Sequence, residues 1–207
     1  WIPLQPAISY SSIFIYTFTG VTNNNKTYQM KYLKPFAITL LTLVLISATV
    51  ATIELETKVL LDNKIELKIP KGFGIMDEEM LKLKYPSERR PTLVYTNESG
   101  TINVALNHIQ SRADQTVIAA YKETFVKTFK ASYPTAVWLG NGINEINGKK
   151  VGYLELITPA VDTEIYNLMF FTDLNGKLLL CTFNCTKKNI EEWTPTAKEI
   201  MNSLKIK

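Results

Sequence analysis

Few side chains in the chain are of types that do chemistry, and each has to be read against its neighbours. Arg89 and Arg90 sit between Ser87-Glu88 and Pro91. Two guanidinium forks on a loop suit the clamping of a carboxylate or phosphate, and the competing use is pairing with Glu88, Glu98 or the acids at 77–79. His108 is the only histidine, which excludes a histidine metal cluster within one chain. It lacks a Gly-x-Ser-x-Gly elbow or a Cys-His signature, so its expected role is structural, at a strand edge. Cys181 and Cys185 are the only cysteines. On a strand a four-residue offset places them on one face about 13 Å apart, too far to bond. They read as small apolar core residues; the alternative is a disulfide formed because the strand ends before Cys185. Asp77, Glu78 and Glu79 stand together where a helix starts, the usual place for acids that complement its dipole. Gly140-Asn141-Gly142 and Pro70-Lys71-Gly72-Phe73-Gly74 lack the context and the Lys-Ser/Thr ending of a phosphate loop.

The elements that position these residues are legible from periodicity. Strands at 55–61 and 64–69 join through Asp62-Asn63, with Ile65, Leu67 and Ile69 alternating against Glu66 and Lys68. Asp77 to Lys84 reads as a short helix, ended by Tyr85-Pro86. Strands Thr92–Thr96 and Thr101–Gln110 flank the turn at 97–100. The period then changes to 3.6 over Asp114–Ser132, where Ile118, Tyr121, Phe125 and Phe129 form one stripe. Three more strands follow as a meander, with turns at Asn147-Gly148, Thr158-Pro159-Ala160 and Asn175-Gly176. Their segments are apolar on both faces, Tyr166, Leu168 and Phe170 against Ile165, Met169 and Phe171, so both faces must be covered. Ile190, Trp193, Ala197, Ile200 and Leu204 have helical spacing and supply cover, with Thr194-Pro195 expected as N-cap and first helical residue.

Composition and charge set the organisation. The chain has 207 residues, 46% hydrophobic and 20% charged, which excludes disordered, collagenous and disulfide-scaffold classes. All 19 acids and all but three of the 23 basic residues lie in 52–207, leaving one net positive charge there. A domain so nearly neutral lacks the field that phosphate-backbone binding needs, so no nucleic acid partner is expected. Met30-Lys31-Tyr32-Leu33-Lys34, an apolar run from Pro35 to Ile46 and the short residues Ser47 to Ala51 have the order of a secretory signal, with cleavage expected after Ala51. The uncharged span Pro35–Ile53 also approaches the roughly 20 residues of a membrane crossing, so a retained anchor contacting the membrane through 35–53 is the alternative. Residues 1–29 precede this signal and are expected to lie upstream of translation from Met30, the alternative being a further apolar segment at 8–21. Residues 52–207 are then a single domain.

The order of hairpin, short helix, Lys84-Tyr85-Pro86 through Arg89-Arg90-Pro91, strand pair, long helix, meander and final Trp193-to-Leu204 helix resembles the PsbP-like fold. That fold is shared by the photosystem II extrinsic subunit, the nuclear Ran-binding transport factor and DcrB-type bacterial envelope proteins. The resemblance covers 55–207 and implies an α+β class, with an antiparallel β-sheet flanked by helices on both faces. It also implies an accessory or binding role, without enzymatic activity or cofactor. The chain departs from lipoprotein members, since its first cysteine is Cys181. The expectation is a periplasmic or secreted envelope protein that binds another protein or an envelope component, with Arg89 and Arg90 as contacts and no metal site. Two alternatives are a hydrolase or transferase built on His108 with a carboxylate, and a chaperone for hydrophobic segments.

Overall fold

Strand β8 (Glu164–Leu174) is the hub of the structure because seven of its eleven residues are buried, on both faces. In the computed structural model, which describes residues 52–86 and 90–207, it lies inside a seven-stranded antiparallel sheet. The segment 30–51 expected as a leader, the segment 1–29, and Ser87, Glu88 and Arg89 lie outside the described residues. The other strands are β3 (Gly74–Ile75), β4 (Leu93–Thr96), β5 (Ile102–Arg112), β6 (Val137–Ile146), β7 (Lys149–Pro159) and β9 (Lys177–Thr186), ordered β3-β4-β5-β9-β8-β7-β6. A second sheet joins β1 (Leu55–Leu60), β2 (Ile65–Pro70) and β10 (Lys205–Ile206). The helices are α1 (Glu78–Lys84), α2 (Ile118–Ser132) and α3 (Ile190–Asn202). All these elements belong to one unit, Ala51–Lys207.

The chain is therefore α+β, with helices on both faces of an antiparallel sheet. On one face Leu168, Phe170, Cys181 and Phe183 meet Trp193, Ala197 and Ile200 of α3 and Ile65, Leu67 and Ile69 of β2. The Trp193 ring stacks on Phe183 at 6.0 Å and lies 5.7 Å from Phe73, tying helix and hairpin to the sheet. On the opposite face Leu154, Leu156, Phe171 and Leu178 meet the predicted stripe Ile118, Tyr121, Phe125 and Phe129 of α2. Phe125 meets Phe171 edge-on at 4.9 Å. Further along that face, Met80 and Leu81 of α1 cover Met76, Val94 and Ala105.

Four local expectations need correction. The meander has four strands rather than three, because β6 runs through Gly140 and Gly142, which interrupt the apolar alternation. The hairpin turn is four residues long, with Leu61, Asp62 and Asn63 all at positive φ, and its strands end at Leu60 and begin at Ile65. Thr194-Pro195 does not start α3. Asn189 is the N-cap after a 3-10 turn at Lys187–Asn189, Pro195 lies inside the helix, and the Thr194 hydroxyl donates to the Ile190 carbonyl at 2.7 Å. Leu204 follows the helix rather than ending it, and the next two residues pair with β2. The turns at Asn147-Gly148 and Asn175-Gly176 have both residues at positive φ, as two-residue hairpins of this handedness require.

Gly152 faces Phe171 across β7 and β8, and a Cβ there would lie 2.4 Å from Phe171 Cζ. The missing side chain is what leaves room for the outer edge of the Phe171 ring. Gly152→Ala should cost about 1–3 kcal/mol by overpacking, read as a lower denaturation midpoint. Phe171→Leu in the same chain should recover part of that loss.

Candidate functional site

Between α1 and α2 the sheet face is left open, and its side chains change from apolar to polar. Ala105 and Asn107 of β5 and Leu180, Thr182 and Asn184 of β9 floor a groove of about 150 Å³, walled by Tyr85 and Pro91. Register places Asn103, Asn184 and Asn167 directly opposite one another on β5, β9 and β8. The Thr96 hydroxyl donates to Asn103 Oδ1 at 2.7 Å, and Asn103 Nδ2 donates to Asn184 Oδ1 at 2.9 Å and to the Gly100 carbonyl at 3.2 Å. Asn167 Nδ2 donates to Thr158 Oγ1 at 3.1 Å. Burial raises the Tyr85 phenol above its usual range, partly offset by the Asn184 amide beside it. The row thus runs from a sealed end at Asn103 to half-buried amides at Asn184 and Asn167. An amide both donates and accepts, so this floor suits hydrogen bonding to a neutral polar group rather than proton transfer.

Asparagine is depleted from strands, so its presence in three strand segments was a readable signal, whereas the opposition of the three needed the register. Asn103 and Asn107 alternate with Ile102, Val104 and Leu106, and Asn184 continues the face of Leu178, Leu180 and Thr182.

Of the paired arginines, Arg90 is described and Arg89 is not. Arg90 Nε donates to the Tyr85 carbonyl at 3.1 Å and Nη1 to Glu78 Oε1 at 3.0 Å, so it pins the start of β4 to α1 beside the groove walls Tyr85 and Pro91. Asp77 caps α1, its Oδ1 accepting from the Met80 amide at 2.7 Å. His108 lies at the other end of β5, on the opposite face. Its Nε2 donates to the Leu174 carbonyl at 3.1 Å, and it forms no ion pair among the described residues. No group of three or more His, Cys, Asp or Glu among the described residues could hold a metal ion.

Cys181 and Cys185 are both free and buried on the α3 face. Burial pushes both thiols up, Cys185 to about 12 and Cys181 further. On that same face Glu155, buried on β7, accepts from Tyr166 Oη at 2.9 Å and pairs with Lys198 Nζ at 3.2 Å, both through Oε1. Burial, then Glu155, raises the Tyr166 phenol far above its usual range. Glu155 also borders a groove of about 210 Å³ with Asn144, Tyr153, Lys198 and Asn202. Among the described residues no helix is long and apolar enough to cross a membrane.

No family model matches the sequence, and no curated protein matches it. Among solved structures, cyanobacterial PsbP (CyanoP) from Synechocystis sp. PCC 6803 superposes with a TM-score of 0.55 at 15% identity, covering 77% of this chain and 96% of that one. LpqN, involved in cell envelope biogenesis of Mycobacterium tuberculosis, matches with a TM-score of 0.48 at 12% identity, covering 74% and 91%. The Saccharomyces cerevisiae Ran-binding protein Mog1p matches with 0.44 at 9%, covering 75% and 96%. The chain has the PsbP-like fold.

Two measurements check this account of the polar and thiol side chains. Asn103→Ala strands Thr96 and Asn184 without their shared partner and should cost about 1–3 kcal/mol in chemical denaturation. At pH 8 neither thiol should react with Ellman's reagent in the folded chain, because the thiolate is suppressed by burial. Both should titrate once the chain is denatured without reductant; fewer than two would mean a disulfide.

Proposed function

We propose that this chain is an exported, envelope-associated accessory protein that acts by binding a protein or envelope component rather than by catalysis. Residues 52–207 are its single folded domain, and 30–51 its leader. The carrying observation is the open amide floor around Asn184. It is the polar surface of the sheet face left over once Asp77, Arg90, His108 and both cysteines are engaged in caps, staples and core. Neutral donors and acceptors side by side complement a peptide backbone or a hydroxylated surface, and the near-neutral domain disfavours nucleic acid. Arg90 holds the rim through Glu78 and the Tyr85 carbonyl, and Arg89, its neighbour in sequence, is the second contact of this reading.

The test uses the full chain, tagged and expressed in its source cell or a bacterial host. It should fractionate with the envelope and carry an N-terminus at Thr52. A photo-crosslinking residue at Asn107 or Thr182 should join one neighbour, and Asn184→Arg, which crowds the groove from a half-exposed position, should abolish that product. An unprocessed chain free in the cytoplasm would defeat the proposal, as would a crosslink indifferent to Asn184→Arg.

A further inference from the structure

The seven-stranded sheet ends in two unequal edges. β3 offers two residues, whereas β6 offers ten, and its outer side has no strand partner among the described residues. An open strand edge presents unpaired N–H and C=O groups, and soluble proteins blunt such edges with lysine, proline, bulges or brevity. β6 contains no Lys, Arg or Pro, and its single charge is Glu145. The free edge of the smaller sheet differs, for β1 carries the Glu56–Lys58 ion pair. Val137, Leu139 and Ile143 of β6 are exposed by 51%, 48% and 39%. The one blunting device is a bulge at Leu139, after which the ladder to β7 is regular from Gly140 to Ile146.

That regular stretch is seven residues long and Ile143 is its centre. Register with β7 puts Asn141, Ile143 and Glu145 on the α2 face, opposite Leu154, Gly152 and Lys150, and Gly140, Gly142, Asn144 and Ile146 on the other. Antiparallel partners must match in face as well as in hydrogen bonding, because directly opposed residues project to the same side. A two-fold axis through Ile143 meets both conditions. It sets Ile143 against its copy, Asn141 against Glu145, Gly142 against Asn144 and Gly140 against Ile146. The apolar residue falls on the axis, and each carboxylate meets a neutral amide donor.

We infer that a second copy of this chain adds to β6 across this axis, joining the two seven-stranded sheets into one. A heterologous peptide could satisfy the same backbone groups, but the matching of Asn141 to Glu145 and the central Ile143 are self-complementary features that only an isologous pair uses twice. One strand pair is a small interface, so the dimer is reversible.

Opposed residues across the axis have Cβ atoms about 4.5–5.5 Å apart, close to disulfide range, and both native thiols are buried. The full chain carrying Ile143→Cys, oxidised with copper phenanthroline in intact cells, should give a reducible band of twice the chain mass on non-reducing electrophoresis. Val161→Cys, at a fully exposed loop position, should not. Adding Asn141→Asp sets a like charge against Glu145 at both ends and should weaken the band by about fivefold, whereas Asn141→Lys should preserve it. Equal yields from Ile143→Cys and Val161→Cys, identical behaviour of the Asp and Lys variants, or a disulfide from the Ile143→Cys chain to a different protein in place of the dimer would each overturn the inference.

Discussion

A sheet whose central strands are apolar on both sides cannot be stable as a single layer, and the rest of this structure follows from that requirement. Tyr166, Leu168 and Phe170 of β8 point one way and Met169 and Phe171 the other, all buried. Fully burying one such side chain stabilises by about 1.5–3 kcal/mol, so exposing either face would cancel the stability of a typical domain. α2 answers one face with four aromatic or aliphatic residues at helical spacing. On the other face α3 alone is too narrow, and the β1–β2 hairpin completes the cover. The C-terminus returns to lock that hairpin: Lys205 and Ile206 pair with Glu66 and Ile65, and the Lys207 amide donates to the Lys64 carbonyl at 2.9 Å.

Charges decorate this arrangement rather than create it. Lys207 and Lys205 hold the Glu66 carboxyl below its usual range, and Lys68 meets Glu199 at 2.7 Å, yet these groups lie at the surface. Pairs of that kind contribute little, because water screens them. Trp193, wedged between Phe73 and Phe183, does more to hold the hairpin against the sheet than the ion pairs around it. Glu155 is the exception. A buried carboxylate needs both the Tyr166 hydroxyl and Lys198 to offset its desolvation, and it stands where the cover of α3 runs out toward β6.

What the sequence disclosed and what it hid divide along the same physical line. Local backbone constraints were readable: Asn147-Gly148 and Asn175-Gly176 because few residues accept positive φ, the α2 stripe because its period is helical, and the double-sided strands because they lack alternation. Strand β6 was hidden because Gly140 and Gly142 remove the side chains that periodicity counts. Gly142 is small because the Tyr153 ring lies over it, a Cβ there falling 3.0 Å from Tyr153 Cε1. The small sheet was hidden because β10 is two residues long and pairs across the whole domain. Thr194-Pro195 misled because a cap and a tolerated internal proline look alike when the preceding 3-10 turn is unknown. Arg90 was found by residue type, its Glu78 partner by chain proximity, but the amide row needed register between strands 81 residues apart.

The surfaces left for function are set by how far the cover extends. Seven strands about 4.8 Å apart span roughly 29 Å, and a helix with its side chains is about 10 Å across. α1 reaches from β4 onto part of β5 and α2 lies above β6 to β8, so the cover is incomplete between them, and that gap is the groove floored by β5 and β9. An apolar strip there would be an exposed hydrophobic trench; Asn107, Thr182 and Asn184 make it polar and leave donors and acceptors turned outward. The sheet's second margin is lateral, where β6 ends the ladder without the charges that usually close such an edge. The wet floor offers partly committed amides, and the open edge offers a row of backbone groups around Ile143. A fold whose covering layers are narrower than the sheet they protect generates both kinds of surface from one geometric shortfall, without needing a reactive side chain in either.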